Sequence, residues 1–270
     1  MSGLLEFTVL GSGSSGGVPR ADGEWGACDP AEPRNRRSRC SLLVRRPAAA
    51  PGGEGTTVLV DTSPDLRLQT AAAGATRLDA VLYTHDHADQ SHGIDDVRAF
   101  ALRHRTRIAC YADAPTRRTL LDRFGYCFEA KGGYPAICEM HDLPPHGREW
   151  AVDGPSGAVP VCSAEVDHGH MPAIAFRFGA VGYAPDVVAL PPPALARLRG
   201  LDVLIVDALR ERPHPTHAHL GLALAWIEEL RPRRAILTNM HIDLDYAALK
   251  RRLPPGVEPA FDGLRFTSES

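Results

Sequence analysis

Tyr83-Thr84-His85-Asp86-His87-Ala88-Asp89-Gln90-Ser91-His92-Gly93 sets three metal-competent side chains, His85, His87 and Asp89, within five residues. The stretch closes an apolar run, residues 79–84, that reads as a buried strand. In extended backbone, residues i and i+2 face the same way, so both imidazoles can meet one ion. Asp89 falls where the chain should turn toward a helix, which aims its carboxylate at a neighbouring position. Nitrogen and oxygen donors at this density suit a borderline divalent cation such as zinc.

Three later segments repeat the pattern of a polar residue at the end of an apolar, β-prone run: Asp167-His168-Gly169, Ala184-Pro185-Asp186 and Thr238-Asn239-Met240-His241. Any one alone is a loop residue. Together with the first stretch they describe ligands gathered at strand ends, a rigid shell with a position left open for water.

Around these sites strands outnumber helices, and the helices fall between groups of strands. Strands are expected over residues 4–10, 41–46, 57–61, 79–84, 107–111, 159–166, 173–178, 181–184, 201–207, 234–238 and 263–267, and helices over 65–73, 94–104, 115–124, 219–230 and 245–252. Residues 20–39 read as irregular, and 125–158, rich in Gly, Pro and aromatics, give no clear element. No repeat and no long linker divides the 270 residues, so one domain over 1–270 is expected, built as two packed sheets with helices outside.

Composition excludes some classes. At 44% hydrophobic residues the chain can bury a sizeable core. A net charge of −3 gives no bulk attraction to a nucleic-acid duplex or a membrane surface. The first ten residues carry no basic n-region and no apolar stretch, so no signal peptide or membrane span is expected. The six cysteines, scattered without a C-x-x-C pair, fit reduced thiols in a cytoplasm.

The H-x-H-x-D motif after a strand, with a later His, a later Asp and a C-terminal His, resembles the metallo-β-lactamase superfamily. The resemblance implies an α/β fold, an αββα sandwich with metals at one sheet edge, over nearly the whole chain. It places an acid at Asp61 to support the ligand loop. Gly11–Pro19, Thr84–Gly93 and Pro215-Thr216-His217-Ala218-His219-Leu220 are most similar to the branch of phosphoribosyl cyclic phosphate phosphodiesterases. Carried over residue by residue, one metal would take His85, His87, His168 and Asp186. A second would take Asp89, Asp186 and His241, and His217 would be the catalytic acid/base beside Asp89. Zinc or manganese is implied, two ions per chain.

Three departures qualify this. The family continues its motif with His where this chain has Gln90, so the second site is weakened, empty, or completed by Gln90 itself or by His92. The family has His directly after Thr238, where this chain has Asn239. The related enzymes carry a cysteine cluster for a structural zinc, of which only Cys28 remains here, so no structural zinc is expected.

The expected activity is hydrolysis of a small-molecule phosphodiester, such as a cyclic phosphate or nucleotide, by metal-activated water. The alternatives are a thioester or lactone hydrolase on the same fold, or a metal-binding protein with a degraded second site. A tRNA 3′-processing role is disfavoured by the absence of a basic RNA-binding arm. A homodimer is compatible with all of these. His219 either lines the site or caps the helix that begins there. The run Arg34-Asn35-Arg36-Arg37-Ser38-Arg39 either meets an anionic substrate or forms a salt-bridged loop. The glycines of residues 11–17 either cradle a phosphate or serve a tight turn.

Overall fold

Strands β1 (Leu4–Gly11), β2 (Ser41–Arg46), β3 (Thr56–Val60), β4 (Ala80–Leu82), β5 (Ile108–Ala112) and β6 (Cys138–Asp142) lie side by side in chain order. The last strand, β14 (Leu264–Glu269), returns to the β1 edge to complete a seven-stranded sheet. A second seven-stranded sheet holds β7 (Glu149–Val152), β8 (Val159–Asp167), β9 (Pro172–Phe178), β10 (Val181–Ala184), β11 (Val203–Asp207), β12 (Arg234–Thr238) and β13 (Val257–Pro259). The computed structural model describes residues 3–269. Each sheet is antiparallel over its first strands and parallel from β3 to β6 or from β10 to β13.

The period-2 alternation of each strand assigns its side chains to two layers. Val58 and Val60 of β3, with Leu42, Val44, Ala80 and Leu82, join the core against the second sheet. Leu59, Leu43 and Val81 point the other way, under the outer helices. Those helices are α1 (Leu66–Ala73), α3 (Arg98–His104) and α4 (Ala114–Phe128), which contribute Leu66, Phe100 and Leu120. With both faces covered, these strands read as continuous apolar runs. On the far side, α5 (Pro192–Arg197), α6 (Leu220–Leu230) and α7 (Tyr246–Arg252) add Ala194, Trp226 and Leu249 to the main cluster. The result is an αββα sandwich.

Most expected elements are present, with shifted ends. The expected strand over 79–84 shortens to β4, and its last residues become the ligand loop. The helix expected over 94–104 is a 3-10 turn at Ile94–Val97 followed by α3. Outside the unassigned segment 125–158, four elements were not foreseen: the 3-10 turn Pro33–Asn35, the one-turn α2 (Ala88–Ser91), α5 in a proline run, and β13. Proline at the first helical positions costs no hydrogen bond, so the Pro191-Pro192-Pro193 run starts α5 rather than preventing it. The unassigned segment 125–158 contains the end of α4 together with β6 and β7. These are edge strands with half-exposed faces, so their apolar pattern is incomplete. Among the described residues no helix is long and apolar enough to cross a membrane.

Candidate metal centre

Because β8, β10, β11 and β12 run in one direction, their C-terminal ends meet at one sheet edge, opposite the ends of β3 and β4. His85 and His87 leave β4, His168 leaves β8, Asp186 leaves β10, Asp207 ends β11 and Asn239 follows β12. The His85, His87 and His168 rings form a triangle with centroid separations of 4.5, 4.9 and 5.2 Å. One ligand atom from each lies within 4.8 Å of the others, and His168, Asp186 and His217 form a second such group.

Neighbouring groups turn the imidazoles into ligands. His168 Nδ1 donates to the Thr216 carbonyl at 2.7 Å. His85 Nδ1 lies 3.0 Å from Thr84 Oγ1, which donates to Asp61 Oδ2 at 2.8 Å while Asp61 Oδ1 accepts from the Thr84 backbone N–H. Both rings therefore direct an Nε2 lone pair at the centre, and both Nε2 atoms are buried with no hydrogen-bond partner. A buried acceptor without a partner is costly, and a divalent cation would satisfy both. Burial, reinforced by neighbouring His rings, holds the His85 pKa well below the ordinary value and lowers that of His168 to about 3. Neutral imidazole is the form that ligates metal. The residues at this first position fit a divalent ion.

Two glycines allow the close approaches. At Gly169, φ is +83° and a Cβ would lie 2.6 Å from Thr216 Cγ2, so only glycine lets the 214–217 loop reach His168. A Cβ on Gly93 would lie 2.0 Å from the Ser63 carbonyl oxygen. There the loop after β3 is bonded to the ligand loop through Thr62 N–H to Gln90 O and Gly93 N–H to Thr62 O.

His217 donates from Nδ1 to Asp207 Oδ2 at 2.9 Å and stands 3.7 Å from Asp186 Oδ1. Burial lowers its pKa, but the bond and charge of Asp207, with Asp186 and Asp89 beyond, outweigh this and raise it to about 9. Asp186 is pushed up by burial and by Asp89 and Asp207, and pulled back by His217 and the Asn239 amide.

The remaining expected residues are distributed as follows. Asp89 is half-buried and 3.4 Å from Gln90 Nε2, on the wall of an outer cleft. Gln90 is fully buried and donates to Asp186 Oδ2 at 3.1 Å. The expectation for the second position needs correction: neither Asp89 nor His241 joins either ligand group among the described residues, and the side chain of His241 is held elsewhere. Its Nε2 is engaged by the Arg20 guanidinium, and its Nδ1 lies 3.1 Å from Asp243 Oδ2. The cause is local: Asn239, at φ +59°, turns the chain where β12 ends, and His241 N–H bonds to Leu209 O. His92 is likewise corrected, being exposed with its ring edge-on to Phe124 at 5.5 Å. His219 caps α6, accepting from Leu222 N–H at 3.3 Å.

The arginine run is mostly structural. Arg34 pairs with Glu32 and covers Tyr246, Arg36 lies over Trp25, and buried Arg37 donates to Leu244 O at 2.7 Å. Only Arg39, paired with Asp65, lines the cleft. That cleft, about 570 Å³, is bounded by Asp89, Arg20, Arg39, Ser15 and Gly16. The rest of the glycine-rich loop is pinned elsewhere, with Gly13 and Ser14 bonded to Ser38 and Met240. The sequence reading missed Asp207, Thr216 and Arg20. Asp207 had a signal, since Val203-Leu204-Ile205-Val206-Asp207 repeats the acid-after-strand pattern of Val58-Leu59-Val60-Asp61. The other two act through a carbonyl and a long side chain, which carry none.

A profile of the beta-lactamase superfamily domain matches residues 56–242, which include the first ligand loop, His168, Asp186 and His217. The chain belongs to that superfamily. It is a hydrolase of the metallo-β-lactamase fold, which implies a divalent metal. A crystal structure described as a new diphosphatase from the PhnP family superposes with a TM-score of 0.87 at 35% identity, covering 100% of this chain and 99% of that one. The zinc-bound PqqB of Methylobacterium extorquens (TM-score 0.72, 17% identity, 97% and 99% covered) shares the fold. A curated protein of Porphyromonas gingivalis (strain ATCC BAA-308 / W83), named octanoyltransferase, is 30% identical over 269 residues, 96% of this chain. The chain spans about half, 51%, of the length of that relative.

Proposed function

We propose that this protein is a metal-dependent phosphohydrolase that cleaves a phosphodiester or diphosphate linkage in a small, anionic, nucleotide-like molecule. The observation that carries the reading is the His85–His87–His168 cluster, with His217 beside His168, on a ligand loop whose Ala88 and Asp89 wall a cleft that Arg20 and Arg39 also line. Three imidazole nitrogens favour zinc over harder cations, with manganese second. When bound, such an ion supplies a Lewis acid and activates water. The protein's own residues do the rest. Arg20 and Arg39 draw the phosphate into the cleft by charge-assisted hydrogen bonds. His217 carries a proton on Nε2, held there by Asp207 on Nδ1, and passes it to the departing oxygen. The likeness to a diphosphatase at 35% identity over whole chains supports phosphorus–oxygen chemistry.

A thioester or lactone hydrolase is the second reading; the 30% identical relative is named for acyl-group transfer, and this chain matches 51% of its length. Arg20 and Arg39 at the cleft favour an anionic substrate group and put the phosphohydrolase reading first. The deciding experiment loads the protein with Zn²⁺ or Mn²⁺ and measures turnover of bis-(p-nitrophenyl) phosphate, a dinucleoside diphosphate and an octanoyl thioester. Turnover confined to the thioester would sink the phosphohydrolase reading.

A further inference from the structure

Asp186 is the residue that a second cation beside the His cluster would have to share. Both of its oxygens already accept amide hydrogens. Oδ2 takes Gln90 Nε2 at 3.1 Å, and Oδ1 takes Asn239 Nδ2 at 3.1 Å. The Asn239 orientation is dictated by a neighbour, since Nδ2 also donates to the Pro185 carbonyl at 2.8 Å. A carbonyl only accepts, so turning the amide over would set two oxygens against each other. Gln90, with no exposed surface, directs the same NH₂ at Asp186 and toward Asp89 Oδ2, 3.4 Å away. The carboxylates a second ion would need thus face N–H donors. The imidazole expected to complete that position, His241, is engaged by a guanidinium, whose charge repels a cation. The first position offers an ion two unpartnered Nε2 acceptors, whereas at the second both Asp186 oxygens already accept amide hydrogens.

We propose that the centre is mononuclear: one divalent ion on His85, His87 and His168 beside Asp186, with the adjacent position closed by the Gln90 and Asn239 amides, which hold Asp186 in place of a second cation. The inference rests on the metal-dependent reading above. It assigns Gln90 and Asn239 as positioning residues rather than as weak ligands.

Ion counting tests it without recourse to activity. The protein is stripped with a chelator, loaded with excess Zn²⁺ or, separately, Mn²⁺, passed through gel filtration and measured by plasma mass spectrometry. The wild type should retain one ion per chain, His87→Ala none, and the double variant Gln90→His/Asn239→His two. Two ions in the wild type would overturn the inference and leave the hydrolase reading standing. No ion in the wild type would remove both. A folded double variant, checked by circular dichroism, that stays at one ion would show that the amides are not what closes the position. The wild-type count decides stoichiometry even if the double variant fails to fold.

Discussion

His217 Nδ1 lies 2.9 Å from Asp207 Oδ2, a buried carboxylate at the end of β11, and this bond turns the ring's Nε2 away from Asp207. If His217 is the proton donor, His217→Ala should lower the turnover rate by about 10²–10⁴-fold. Metal content should stay unchanged, because His85, His87 and His168 are untouched. Asp207→Asn should keep the ring in place yet weaken the donor. Rates measured beside metal content on the same samples check both, and full activity in His217→Ala would exclude the role.

The metal-free protein should be most stable near neutral pH. His217, raised from 6.5 to about 9, stabilises the fold fully below pH 6.5, and this contribution disappears as pH rises through about 9. His168, lowered to about 3, acts on the other side: as pH falls from 6.5 toward 3 the unfolded chain binds a proton that the folded chain does not, so stability drops. Urea midpoints of chelated protein at pH 4.5, 6.5 and 9.5 check this, and His217→Asn should flatten the alkaline limb only.

Asp61 acts on the metal position through Thr84 and has φ +62°, a left-handed conformation that Asn also tolerates. Asp61→Asn should therefore fold, yet bind the ion about 10–100-fold more weakly, since it loses the carboxylate behind His85. Competition with a chromogenic chelator measures the change. Unaltered affinity would reduce Asp61 to a purely structural residue.

Arg20 and Arg39 flank the cleft beside Asp89. Each hydrogen bond to a charged phosphate contributes roughly 1.5–3 kcal/mol, so Arg20→Ala or Arg39→Ala should raise KM about 10–100-fold with a smaller effect on kcat. The loss should diminish at high salt. A neutral ester assayed in parallel should show no such change.

Legibility in the sequence followed the range of the interactions. The ligand loop was readable because strand periodicity and i, i+2 spacing are local, and the same holds for Val58-Leu59-Val60-Asp61 before its acid. Segments 125–158 and 191–197 were not, since an edge strand lacks the second buried face that marks a central one, and a proline run reads as a breaker until its N–H groups are seen to be superfluous. His219 was ambiguous for a related reason: one side chain can cap a helix or line a site, and only the bond to Leu222 N–H separates the two.

From local hydrophobic periodicity the amino-acid sequence by itself determined two packed sheets with outer helices and polar residues at four strand ends, and its dense ligand motif carried the resemblance that implies the superfamily and the αββα layering. The tertiary structure alone decided which of those side chains converge. His241 and Asn239 are two residues apart, yet a left-handed turn at Asn239 points the amide at Asp186 and leaves the imidazole with Arg20 and Asp243. Which side chain reaches the centre depends on backbone direction over a few residues and on partners more than 200 positions away in the chain, such as Arg20 for His241. Such information resides in the folded molecule rather than in the spacing of letters.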